Sequence, residues 1–161
     1  MKSKTLIFLS LFVMVSCNRS NSDRSNDRTT VVDHSKTNKV KMRKNGGVYY
    51  IPIKVNGVSM EFIFDTGAST ISISKTEASF LYKQGKIKDS DILGTQNFID
   101  ANGDVSQGVV IRLDNVQIGN RTLRNVKASV VNNSVAPLLL GQSALGKFGS
   151  FTIDNRNGYL I

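Results

Sequence analysis

The chain has 161 residues, of which 21 are Lys or Arg and 12 are Asp or Glu, for a formal net charge of +9. One cysteine, one histidine and no tryptophan argue against a disulfide framework, a His-rich metal centre and a structural zinc site. No Arg-rich helix or nucleic-acid-binding module accompanies the charge, so it reads as a solvated surface near an anionic membrane, and nucleic acid is not an expected partner.

Residues 1–17 read as an export signal. Lys2 and Lys4 give a basic start, and Leu6 to Val15 form an apolar stretch too short to span a bilayer comfortably. Ser16 directly before Cys17 resembles the lipobox of bacterial lipoproteins, with Met14 where Leu is usual. That resemblance implies cleavage before Cys17, lipidation of its thiol, and a place in the bacterial cell envelope on the periplasmic or outer-membrane face. The alternatives are an ordinary secretory leader with an incidental Cys and an uncleaved anchor. Residues 18–44 carry Ser, Asn, Asp, Arg and Lys with few large apolar side chains, which predicts a flexible polar tether. It holds His34 and the basic run Lys36, Lys39, Lys41, Arg43 and Lys44. One small globular domain is expected over residues 45–161.

Within that domain the pattern is of short strands punctuated by turns. Val48 to Val55 is rich in β-branched and aromatic residues, Asn56-Gly57 is a two-residue hairpin signal, and Ser59 to Asp65 returns as a second strand. Ile71 and Ile73 alternate with serines as a third. Ser74-Lys75-Thr76-Glu77 is a capping-box sequence that predicts a helix through about Tyr82, ended by Gly85. Further strands are expected at Ile92 to Asp100, Val105 to Leu113, Val116 to Ile118, Val126 to Val131, Leu138 to Leu140 and Phe151 to Ile153. Asn102-Gly103, Gly119-Asn120 and Asn157-Gly158 mark turns between strands. Many short strands with at most two short helices predict an all-β fold, a small barrel or sandwich.

One stretch carries chemistry. The apolar run Phe62-Ile63-Phe64 leads without a break into Asp65-Thr66-Gly67-Ala68-Ser69, and a carboxylate at the end of a core strand is costly unless it is hydrogen-bonded or paired. An acid capping a strand-end turn is one account of Asp65. Three blocks together point elsewhere: "FIFDTGAST" at the strand end, the hairpin sequence "IDANGDVSQG", and "LLLGQSALGKFGSFTIDNRNGYLI" at the C-terminus. In this order and spacing they resemble the retropepsin-like aspartic proteases, particularly the bacterial single-domain group, over residues 47–161.

The resemblance implies a small closed β-barrel with one or two short helices, active as a homodimer in which each chain supplies Asp65 as its catalytic side chain. Thr66, Gly67, Ala68 and Ser69 would form the supporting loop, and Ala101, Asn102 and Gly103 the tip of a flap over an extended peptide. Leu139, Leu140 and Gly141 would pack beneath the loop, with a short helix from Gln142 to Lys147. The implied activity is hydrolysis of peptide bonds by a water held between two copies of Asp65, with no metal or organic cofactor. The partners implied are a peptide or protein substrate, a second copy of the chain, and a membrane through the lipid on Cys17. The alternative function is a non-catalytic envelope lipoprotein that uses the barrel to bind peptides or a protein partner, with Asn102-Gly103 a plain hairpin turn. Ser69 stands where retroviral enzymes have an aspartate that contacts substrate main chain, and Gln142 where they have an arginine that braces the dimer.

Overall fold

The computed structural model describes residues 37–99, 102–103 and 105–161. Cys17, the leader and residues 18–36 of the expected tether lie outside the described residues, as do Asp100, Ala101 and Asp104. Among the described residues eleven strands, two α-helices and a short 3-10 helix (Asp89–Asp91) follow in chain order, the strands and α-helices being β1 (Val40–Lys41), β2 (Arg43–Asn45), β3 (Val48–Val55), β4 (Val58–Phe64), β5 (Ile71–Ser74), α1 (Lys75–Lys83), β6 (Ile92–Ile99), β7 (Val105–Ile118), β8 (Arg121–Val131), β9 (Leu139–Leu140), α2 (Gln142–Phe148), β10 (Ile153–Asp154) and β11 (Tyr159–Leu160).

Turn chemistry sets the β3–β4 hairpin. Asn56 and Gly57 both take positive φ, 47° and 86°, the handedness that matches strand twist in a tight two-residue connection. β3 and β4 then pair from Val55↔Val58 to Tyr50↔Ile63. That register turns Ile51, Ile53, Val55 and Phe62 into the core, where each is at most 2% exposed. The same core holds Ile71, Ile73, Leu81, Leu113, Val116, Leu123, Val126, Leu140 and Leu145, among others.

The larger sheet runs in the order β2-β3-β4-β9-β5-β8-β7-β6, and a smaller one in the order β1-β11-β10. The expected closed barrel is not formed. The large sheet curls until β3 meets β7, but that seam holds two residue pairs, Lys54↔Gln117 and Val55↔Val116, and β2 and β6 run on as sheet edges.

The expected tether also ends earlier than Lys44. Val40 pairs with Leu160 and Lys41 with Tyr159, while Arg43 to Asn45 pair with Val48 to Tyr50. Val40 and Met42 are buried, and the Lys39 and Lys41 ammonium groups lie over the Tyr159 ring at 4.2 and 4.6 Å. Alternate apolar side chains face the core here while the cations between them spread over aromatic faces, so a strongly basic segment still forms strand. Asn38 is held as well: its side-chain amide donates to the Ile118 carbonyl and its side-chain carbonyl accepts from Asn120 N–H.

Helix α1 starts where its sequence requires. The Ser74 hydroxyl accepts from the Thr76 and Glu77 amides at 3.0 and 3.4 Å and contacts the Glu77 carboxylate. Gly85 closes the helix with φ 65°, its amide bonded to the Tyr82 carbonyl, a left-handed stop. β7 is one strand of 14 residues, not two: its ladder with β8 omits only the Asp114 and Asn125 position, where Asn125 takes φ 52°, and resumes in the same register. The last expected strand, Phe151 to Ile153, is displaced to β10 and continues through the Asn157-Gly158 turn into β11.

Candidate active site

Asp65 follows the last residue of β4, and the chain is held there from below. β4 pairs in parallel with β9, Ile63 opposite Leu139 and Phe64 opposite Leu140. The Ile63 amide donates to Leu138 O at 2.8 Å and the Asp65 amide to Leu140 O at 3.2 Å. β9 is hemmed in from the other side by β5, with Ser72 opposite Leu139. Phe64 adds an edge-to-face contact with Phe151, ring centroids 5.4 Å apart, fixing the C-terminal segment against the strand that carries Asp65.

Beyond Asp65 the chain turns sharply. The Gly67 amide donates to Asp65 Oδ1 at 2.9 Å, and a Cβ on Gly67 would lie 3.2 Å from that oxygen. Asp65 and Ala68 are half-buried, whereas Thr66, Gly67 and Ser69 are exposed. The first turn of α2 then grips the loop: the Gln142 amide donates to Ala68 O at 2.8 Å and the Ser143 amide to Ser69 O at 3.0 Å. The Gln142 side chain donates to Thr66 O at 3.0 Å.

Gly141 sits at the crossing point. A Cβ there would lie 2.2 Å from Thr70 O and 2.6 Å from Ala68 O, so only glycine lets the strand under the loop approach this closely. Ser143 Oγ accepts from the Ile71 amide at 2.8 Å and donates to Lys127 O at 3.2 Å, tying α2 to β5 and β8. Thr70 and Ser129 share a hydroxyl hydrogen bond of 2.8 Å.

The β6–β7 hairpin pairs from Ile92↔Ile111 to Ile99↔Val105, with an irregularity between Ile92 and Gly94. Seven of the eight β6 residues are exposed, so this arm stands off the core. Asn102 and Gly103 are exposed at its tip, with Gly103 at φ 89°; Ala101, the third expected flap residue, lies outside the described residues. Ile99 and Val105 beside the tip are 73% and 65% exposed, and Val135, on the loop leading to β9, is 88% exposed. None of these three apolar side chains was singled out from the sequence; their place at a hairpin tip and a loop beside β9 follows from pairing register.

The structure thus brings Asp65, the 66–69 loop, Leu139, Leu140 and Gly141 into one assembly, adds Gln142 and Ser143 to it, and puts Asn102 and Gly103 on a separate projecting hairpin. Four cavities of about 230 to 410 Å3 indent the described surface, and Asp65 lines none of these four. Among the described residues, no group of three or more His, Cys, Asp and Glu side chains could hold a metal ion, and no helix is long and apolar enough to cross a membrane.

A curled β fold with an Asp-Thr-Gly loop seated on a Leu-Leu-Gly strand and a short helix is that of the retropepsin-like aspartic proteases. The chain belongs to the family described as gag-polyprotein putative aspartyl protease, which matches residues 51–147. A retropepsin-like aspartic protease from Rickettsia conorii has a similar crystal structure, at 30% identity and a TM-score of 0.58 over 78% of this chain and 100% of that one. The fold is shared with the EIAV protease in complex with the inhibitor HBY-793, at 14% identity and a TM-score of 0.52 over 69% of this chain and 97% of that one. An uncharacterized protein of Rickettsia prowazekii (strain Madrid E) is 35% identical over 113 residues, 70% of this chain. The match spans 46% of that relative's length.

Proposed function

We propose that the protein is an aspartic endopeptidase whose active site is completed by a second copy of the chain, with Asp65 from each subunit forming a dyad. The observation that carries the proposal is the way Asp65 is held: a rigid strand end, with one carboxylate oxygen accepting the Gly67 amide and the side chain only half-buried. A single chain offers one such carboxylate and no base or acid beside it among the contacts of the loop. Two of them facing across a two-fold axis cannot both ionise cheaply, so the pair holds one proton between them.

Chemistry follows from that shared proton. The ionised member takes a proton from a water held between the carboxylates while the water oxygen attacks the peptide carbonyl. The protonated member donates to the developing oxyanion, and a proton then passes to the departing amine as the C–N bond breaks. Thr66, exposed beside Asp65, would hydrogen-bond across the axis. The β6–β7 hairpin would close over an extended peptide, whose main chain would be held by strand-like hydrogen bonds. Ile99, Val105 and Val135 are exposed apolar side chains that a peptide or the second subunit would cover.

Membrane anchoring through a lipid on Cys17 belongs to the same proposal. Confining two chains to one surface raises their effective concentration and favours a dimer that is weak in solution. The test of the activity is Asp65→Asn, which keeps size and shape but removes the proton chemistry. Peptide cleavage should fall to background while the thermal transition stays in place; cleavage at the wild-type rate would remove the mechanism.

A further inference from the structure

The Asp65 carboxylate rests on a hydrogen bond from the Gly67 amide, and that N–H belongs to the peptide unit joining Thr66 to Gly67. The carbonyl of the same unit, Thr66 O, accepts from Gln142 Nε2 at 3.0 Å, while its N–H donates to Asp65 Oδ1 at 2.9 Å. In a trans peptide the C=O and N–H point in opposite directions in one plane. The unit is therefore pinned at both ends, by a side-chain amide on one side and the carboxylate on the other. A carbonyl can only accept, so the Gln142 amide must present its NH2 group to Thr66. The three groups form a short chain of hydrogen bonds in which each donor polarises the next.

Without the outer contact this peptide is poorly restrained. Thr66 and Gly67 are both exposed, and a peptide preceding glycine can rotate about its own axis because glycine alone tolerates the positive φ that results. A rotated unit would turn the Thr66 carbonyl towards Asp65 and take the N–H away. Gln142 is suited to prevent this because it opens α2, which Ser143 ties to Ile71 N–H of β5 and Lys127 O of β8, and its own amide holds Ala68 O at 2.8 Å further along the loop.

We infer that Gln142 is a positioning residue of the active site, which acts through the Thr66–Gly67 peptide to hold the Asp65 carboxylate in its reactive orientation. It fills in cis the place where retroviral enzymes carry an arginine that braces the dimer. The inference rests on the proposed peptidase activity for its kinetic consequence but not for its structural one, and the experiment reads both.

In the full chain labelled with 15N, Gln142→Met removes the donor at nearly constant length. The Gly67 amide proton should move upfield and exchange with solvent on the order of fivefold faster, as expected for loss of about one hydrogen bond. The melting temperature should fall by no more than the few degrees that about one hydrogen bond is worth, and the dimer dissociation constant should stay at its wild-type value. In peptide cleavage, kcat should fall about tenfold with KM within twofold, since the contact orients the carboxylate and does not bind substrate. Gln142→Arg, which restores side-chain N–H groups, should recover most of both losses. An unchanged Gly67 amide in Gln142→Met overturns the inference whether or not the protein cleaves peptides. So does a fall in kcat that follows a melting temperature lowered beyond those few degrees, or a weaker dimer. If wild-type protein cleaves nothing, the peptidase proposal fails and the amide signal alone decides the role of Gln142.

Discussion

Gly141 is the position at which the smallest possible change should do the most damage. Its backbone is extended, at φ −100° and ψ −173°, so alanine meets no conformational penalty and the effect is purely one of space. The added Cβ would lie 2.2 Å from Thr70 O, 2.6 Å from Ala68 O and 2.8 Å from Thr70 C, all backbone atoms that no rotamer change can move. To reach ordinary contact, the loop would have to retreat by about 1 Å or more. That retreat stretches the Gln142 amide to Ala68, the Ser143 amide to Ser69 and the Gln142 side chain to Thr66. Overpacking typically costs about 1–3 kcal/mol and each of the three weakened hydrogen bonds about 1 kcal/mol, so Gly141→Ala should destabilise the domain by roughly 4–6 kcal/mol. Against a total stability of about 5–15 kcal/mol, this is a large fraction. Gly146, within α2 and with nothing within 4 Å of its Cβ position, is the internal control: Gly146→Ala should stabilise by about 0.5–1 kcal/mol through helix propensity. Urea unfolding of the two variants measures both. A Gly141→Ala protein within about 0.5 kcal/mol of wild type would refute the steric account of how β9 supports the loop.

Two further outcomes follow from other parts of the fold. Ser74→Ala removes the hydroxyl that accepts from Thr76 and Glu77 at the start of α1, and should cost about 1–2 kcal/mol in urea unfolding; no loss would show that the helix start is held by its neighbours alone. Asp91, with its side chain 7% exposed, accepts from the Lys88 amide at 3.0 Å and from Arg112 Nη2 at 2.6 Å. The Lys88 amide foremost, and then the Arg112 guanidinium, hold its carboxyl below the usual range against the opposing effect of burial. A carboxyl whose folded value is lowered contributes stability that is complete above its unfolded value, near 3.9, and lost as pH falls through the folded one. The stability gap between wild type and Asp91→Asn should therefore be wider at pH 6 than at pH 3; an equal gap at both would show that ionisation of Asp91 adds nothing.

Much of this architecture is written locally. Asn56-Gly57 states its own turn, Ser74 its helix start and Gly85 its helix end, because each rests on backbone chemistry within a few residues. The Asp65 loop is legible for the same reason: an apolar strand ending in Asp-Thr-Gly, and later a Leu-Leu-Gly run, leave few alternatives. What was missed depends on contacts distant in sequence. β1 and β2 carry Lys41, Arg43 and Lys44, with Lys39 just before them, and the alternation of Val40 and Met42 shows only when Leu160 and Tyr159 arrive from the other end of the chain. β7 looked broken at Asp114 and Asn115, yet Asn125 on the facing strand absorbs the irregularity. The reach of Gln142 back to Thr66, 76 residues earlier, has no local signature. Closure of the barrel was overestimated because strand count and turns do not report how few pairs join β3 to β7.

The central claim is that one chain holds half an active site. Calorimetric titration of the folded protein with a transition-state-mimicking aspartic protease inhibitor tests it most directly, because the stoichiometry counts carboxylates per site. The account predicts one inhibitor bound per two chains, with binding lost in Asp65→Asn. One inhibitor per chain, or binding that Asp65→Asn leaves intact, would contradict it.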